Sequence, residues 1–139
     1  MTKYKIVAKY LKIVNFQIKN TEIFLKQNKN VSDYKINIDI KSNQIKKNLI
    51  EVIISLSLKP SLKNNDFLDF RVSYSVVIEI KDMNIQKEEI KKIILVKIPT
   101  DSYSEIRDVF KYLFKCCGFN EINIEDSINF EKLYLENFN

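Results

Sequence analysis

Histidine is absent from all 139 residues, and glycine occurs once, as Gly118. Without histidine, Ser-His-Asp and Cys-His nucleophiles and imidazole acid–base chemistry are unavailable. A single glycine excludes a glycine-rich phosphate loop. Acid pairs remain at Glu88–Glu89 and Glu125–Asp126, but both stand in polar stretches that read as solvated rather than as a catalytic dyad. An enzyme is therefore not expected, nor a cofactor. The two cysteines, Cys116 and Cys117, are neighbours. Adjacent helical residues point about 100° apart, which suits neither a structural disulfide nor, without histidine, a zinc site. Cys117 reads as a small apolar residue on a buried helical stripe with Cys116 as its flank, and both suit a reducing compartment.

Long apolar runs are missing as well. Lysines interrupt MTKYKIVAKYLK before it can form the core of a signal peptide, and no run approaches a membrane span. A cytoplasmic chain with no membrane insertion is expected. Its length suits one domain, residues 1–139. The formal charge of +5 invites a nucleic-acid reading, but only Arg71 and Arg107 are arginines, and forked contacts to bases and phosphates favour arginine. The lysines are dispersed among acids, and the surplus of Lys, Ile and Asn looks like the codon bias of an A/T-rich genome. Nucleic acid stays a minor alternative, with Tyr34 or Tyr74 as its stacking residues and a salt-sensitive affinity as its mark.

What is present is alternation. Residues 3–19 place Tyr4, Ile6, Ala8, Tyr10, Val14, Phe16 and Ile18 on one parity, although Val7, Leu11 and Ile13 occupy the other. Next comes a polar connection whose apolar island, Ile23, Phe24 and Leu25, is expected to tuck onto the core. Strands follow at Tyr34–Ile40, Leu49–Lys59 and Phe67–Lys81, with KSNQIKKN as the link between the first two and LKNND as the turn before the last. Pro60 ends the third strand. Short polar turns favour an antiparallel meander with one buried face.

The cover for that face is helical. Gln86–Lys97 carries Ile90, Ile93 and Ile94 at helical spacing, with the residues before Pro99 open to an extended reading. Ile106, Val109, Phe110, Leu113, Phe114 and Cys117 follow a full amphipathic pattern. Asp101 or Ser102 would cap its start, and Gly118 suits the left-handed residue that ends it. A last helix carries Phe130, Leu133 and Tyr134, capped by Ser127 or Asn129. The fold class is α+β, a four-stranded antiparallel meander backed by two to three helices.

This order resembles the SecB family of protein-export chaperones. KYLKIVNFQIKN is similar to the family's opening strand, and KINIDIKSNQIKKNLIEVIISLSL to its second strand, link and third strand. SEIRDVF, with Arg107 and Asp108, resembles the start of its long helix, and GFNEINIEDSINFEKLY its glycine, short apolar run and final helix. The resemblance implies an ATP-independent holdase that binds unfolded polypeptides along apolar grooves and assembles as a tetramer, a dimer of dimers. It assigns client contact to Tyr34, Ile36, Ile38, Ile90, Ile94, Phe130, Leu133 and Tyr134. Each of these also stands at core periodicity, and for Tyr34 and Tyr134 the wet hydroxyl favours a surface role. At the sheet positions where the family carries acids to dock the export motor SecA, this chain has Ile13, Gln17, Asp69 and Arg71. With one acid left there, service to the antitoxin of a toxin–antitoxin pair stands as the alternative to general export.

Overall fold

The computed structural model describes residues 3–26, 34–60, 68–119 and 124–138, with backbone alone at 34, 35, 59, 60, 137 and 138. Among the residues expected to matter, Phe67, Ile122 and the Tyr34 side chain lie outside the described residues. Four strands, β1 (Tyr4–Ile18), β2 (Tyr34–Lys46), β3 (Leu49–Pro60) and β4 (Leu68–Ile80), form one antiparallel sheet in the order β1-β4-β3-β2. The meander holds for β2, β3 and β4. β1 crosses over to the far edge and pairs with β4.

Two departures from the expected strands have local causes. KSNQIKK is not a link, because β2 runs on to Lys46 and the turn into β3 is only two residues, Lys47 and Asn48. In β1, Val7 and Lys12 are bulged, so Tyr4, Ile6, Lys9, Leu11, Val14, Phe16 and Ile18 stand opposite the helix-facing residues of β4. Each bulge flips the parity of the residues beyond it. Leu11 looked out of phase only because the phase changes twice, whereas Ile13, opposite Ser73, does stand on the other face and Val7 is itself the bulged residue.

Helices cover one face. The apolar island becomes α1 (Thr21–Lys26), with Ile23 and Phe24 against the core and Leu25 exposed. After β4 come α2 (Lys87–Lys92), a π-helical turn (Ile93–Lys97) and α3 (Ile98–Cys116), joined without a break. Neither Asp101 nor Ser102 caps α3, because the helix arrives from upstream and Ser102 is buried within it. Pro99 does not end the helix either. An α-helical ladder would ask its missing N–H to reach Leu95 and would press its ring against that carbonyl. The widened turn relaxes that demand, since the Ile98 N–H reaches back five residues to Ile93.

The core lies between α3 and the sheet. Ile106, Phe110 and Phe114 are fully buried, as their spacing requires, and Val109, Leu113 and Cys117 are half-buried beside them. Phe16 stacks on Phe70 at 4.5 Å between ring centroids, Phe70 meets Phe114 edge-on at 5.9 Å, and Phe114 stacks on Phe119 at 5.0 Å. Gly118 closes α3 at φ +90°, and a side chain there would meet the Phe24 ring at 3.2 Å. α4 (Phe130–Phe138) follows, started by Asn129, whose Oδ1 accepts the Lys132 N–H at 3.0 Å.

Candidate polypeptide-binding surface

α4 is fastened at two points. Phe130 packs edge-on to Tyr103, centroids 6.1 Å apart, and the Tyr103 hydroxyl donates to the Glu125 carbonyl at 2.7 Å. One turn along, the Tyr134 hydroxyl donates to Glu88 Oε2 of α2 at 3.0 Å. Burial, then that bond, raises the Tyr134 pKa above its ordinary value. Held this way, α4 leaves a cavity on each side. One, of about 230 Å³, lies between β2 (Ile38, Ile40), Leu95 of the π turn and Phe130, Leu133 and Tyr134. The other, of about 520 Å³, is walled by Ile93 and Val96, by Ile128, and by Phe130, Tyr134 and Leu135, with charged residues such as Lys92 and Glu131 also lining it. Phe130 and Tyr134 belong to both.

A third cavity, of about 460 Å³, holds Ile90 and Ile94 with Ile50, Ile80 and Ile85 beyond the β2–β3 turn. The eight expected contact residues therefore separate. Ile38, Phe130, Leu133 and Tyr134 converge on the smallest cavity, while Ile90 and Ile94 line the third. Ile36 is half-buried on β2 and packs on the core. Tyr134 is not a surface tyrosine: only 7% of it is exposed, and its hydroxyl is satisfied by Glu88. Sequence reasoning missed Ile40, Leu95, Val96 and Ile128 as wall residues. For Ile40 the signal was available in the unbroken alternation of β2. For Leu95 and Val96 it was hidden by the π turn, which breaks helical spacing.

The opposite face of the sheet carries most of the strands' polar residues, mixed with apolar ones such as Ile13. Ile13, Gln17, Asp69 and Arg71 do gather there, on adjacent rows of β1 and β4. Gln17 and Arg71 are exposed, while Asp69 accepts a hydrogen bond from Asn15 Nδ2 at 3.0 Å. Farther along this face, Glu51 is nearly buried and accepts from Lys12 Nζ at 2.8 Å, Ser75 Oγ at 2.6 Å and the Tyr10 hydroxyl at 2.9 Å. Those bonds, Lys12 first, hold its carboxyl at a pKa of about 2 against burial. Tyr74 is absent from this face. It points to α3, donates to Glu105 at 2.7 Å and is pushed by burial, then by that bond, to a pKa of about 12. A base-stacking platform there lacks that aromatic. No cluster of metal-ligating side chains occurs among the described residues, and no described helix is long and apolar enough to cross a membrane.

The geometry is thus a four-stranded antiparallel sheet with one helical face and apolar cavities around its last described helix. The family model for SecB, preprotein translocase subunit SecB, matches residues 1–139, and the chain belongs to that family of non-catalytic export chaperones. A SecB relative from Pelagibacter ubique, whose name assigns it provisionally to protein export, is 29% identical across 98% of this chain and 97% of its own. The protein-export protein SecB of Rhodopseudomonas palustris is 24% identical across 95% and 82%. Among solved structures, a SecB-like chaperone of Mycobacterium tuberculosis, in complex with a ChAD peptide from the HigA1 antitoxin, shares the fold. Its TM-score is 0.67 at 12% identity, covering 91% of this chain and 88% of that one.

Proposed function

We propose that this chain is an ATP-independent holdase, one domain over residues 1–139, that keeps non-native polypeptide from collapsing or aggregating. The observation that carries the reading is the shared wall of Phe130 and Tyr134, which sets two apolar cavities side by side along α4. An unfolded segment offers apolar side chains in no fixed order, and such a surface binds them by area rather than by sequence. Leu133, 38% exposed, is the most exposed apolar wall residue of the smaller of these two cavities. Replacing it as Leu133→Asp is expected to weaken binding of a permanently unfolded polypeptide at least about tenfold, while thermal unfolding shifts by only a few degrees. Unchanged affinity would move the binding surface elsewhere.

Of the two destinations for a client, dedicated service to an antitoxin has two supports. The M. tuberculosis relative in fold is bound to an antitoxin peptide. On the sheet face, Ile13, Gln17 and Arg71 leave Asp69 as one acid, itself engaged by Asn15, which is poor ground for SecA docking. The export reading is supported by the names of the sequence relatives. Titrating the purified protein against SecA and, separately, against an unfolded antitoxin segment divides the readings.

Self-assembly in the cytoplasm, as a dimer of dimers, completes the proposal. β1 is an edge strand that exposes Ile6, Val7, Leu11, Ile13 and Val14 by 38–50%. Two of its three lysines, Lys9 and Lys12, are tied to Glu105 and Glu51 of the same chain, and Lys5 stands near the strand's start. An edge left largely apolar beyond Lys5 is suited to a second copy. Solution mass tests it, and a monomer at micromolar concentration would remove the tetramer.

A further inference from the structure

The segment from Lys87 to Cys116 is continuous in helical path and uneven in anchoring. Downstream of the joint, α3 buries seven side chains between Ile98 and Phe114. Upstream, neither α2 nor the π turn buries any. The hydrogen-bond ladder slips at the joint: the Ile93 N–H reaches Glu89 and Ile90, whereas the Ile98 N–H reaches Ile93. Pro99, buried and unable to donate, fixes the downstream boundary of that slip.

The slip has a spatial result. Consecutive residues of one turn enter different cavities: Ile93 and Val96 line the 520 Å³ cavity, Ile94 the 460 Å³ cavity and Leu95 the 230 Å³ cavity. No element among the described residues reaches all three of these cavities except this turn. Beyond the half-buried packing of Ile93, Ile94 and Val96 on the core, two polar contacts hold the upstream arm where it stands, the ion pair of Glu89 with Lys3 and the bond from Tyr134 to Glu88. Glu88 is exposed and Glu89 half-exposed on α2, where such contacts are readily exchanged for water.

We propose that the π turn Ile93–Lys97 is a register hinge that couples the three cavities. When the wide turn migrates along the helix, α2 rotates against a stationary α3, and walls in all three cavities move together. Filling one cavity then selects the helix register and thereby the shape of the other two. The hinge rests on the holdase reading only for the identity of what fills a cavity in the cell. A weakly anchored arm on a rigid base is the kind of two-state element such coupling needs.

Hydrogen–deuterium exchange of the full chain tests it, first without any client. Amides of residues 90–97 are expected to exchange about tenfold faster than those of 106–114. Pro99→Ala restores the missing donor and is expected to slow residues 90–97 about tenfold, leaving 106–114 unchanged. Leu133→Trp fills the smallest cavity from within, and is expected to change exchange at 83–90 on the wall of the 460 Å³ cavity. Equal protection of the arm and α3, or no response to Leu133→Trp at 83–90, overturns the hinge. If Pro99→Ala loosens 106–114, the variant is globally destabilised and Leu133→Trp decides alone. Adding reduced, carboxymethylated α-lactalbumin as unfolded probe is the separate step. Failure of that polypeptide to bind overturns the holdase reading, while the hinge is judged on the client-free measurements.

Discussion

β1 and β4 are paired from Tyr4 with Ile80 to Ile18 with Leu68, and both are built of alternating apolar and polar residues. Yet β4 buries nearly every second residue completely, and also Ser73 and Ser75 on its polar face. β1 has none fully buried and exposes apolar side chains on both faces. The pattern of a strand states which residues share a face. Burial is decided by neighbours, and β4 has a strand on each side while β1 has one. Apolar burial in the centre is therefore complete within one chain, whereas at the edge it is not.

Four substitutions sharpen this contrast, in descending order of expected effect. Phe70→Ala in β4 removes the ring that joins Phe16, Phe114 and Phe119. It is expected to cost about 3–5 kcal/mol in denaturant unfolding, the range for a buried phenylalanine. Glu51→Gln breaks the contact that ties β1 to β3 and β4 through Lys12, Tyr10 and Ser75, at about 1–3 kcal/mol, as for lost hydrogen bonds to a charged group. Because the Glu51 pKa is depressed in the fold to about 2, its stabilisation is fully present above the ordinary carboxylate range. It is lost as pH falls toward 2, so the difference between wild type and Glu51→Gln is expected to vanish there.

Tyr74→Phe, which removes the hydroxyl donated to Glu105, is expected to cost about 1 kcal/mol. At the edge, Val14→Lys is expected to change the stability of a single chain by about 0.5 kcal/mol or less. The same variant should shift solution mass toward smaller species at equal concentration. If Val14→Lys destabilised the chain as much as Phe70→Ala, the division between centre and edge would collapse.

The strands were legible where alternation met nothing to disturb it, as in β3 and β4. β1 was legible as a strand but not in its facing, since a bulge is a single extra residue with no compositional mark at Val7 or Lys12. Helix α1 was hidden because six residues are too few to show a period. The start of α3 was misplaced by two good local signals, Pro99 and the Asp101–Ser102 cap, both overridden by a helix entering from α2. Of the expected contact residues, those on α4 were readable because Asn129 starts the helix where the sequence says it should. The split of Ile90 and Ile94 from Ile38 was not readable, because side-chain spacing does not say which end of the sheet a helix packs on.

Gly118 has a meaning in evolutionary time. Its φ of +90° strains any other residue, and the Phe24 ring at 3.2 Å leaves little room for one. Gly118 is the one glycine in the sequence, and it stands where the backbone takes that conformation. Compositional drift should stall at this codon while its neighbours diverge, so it offers a fixed point for aligning descendants too distant for their other residues to be matched.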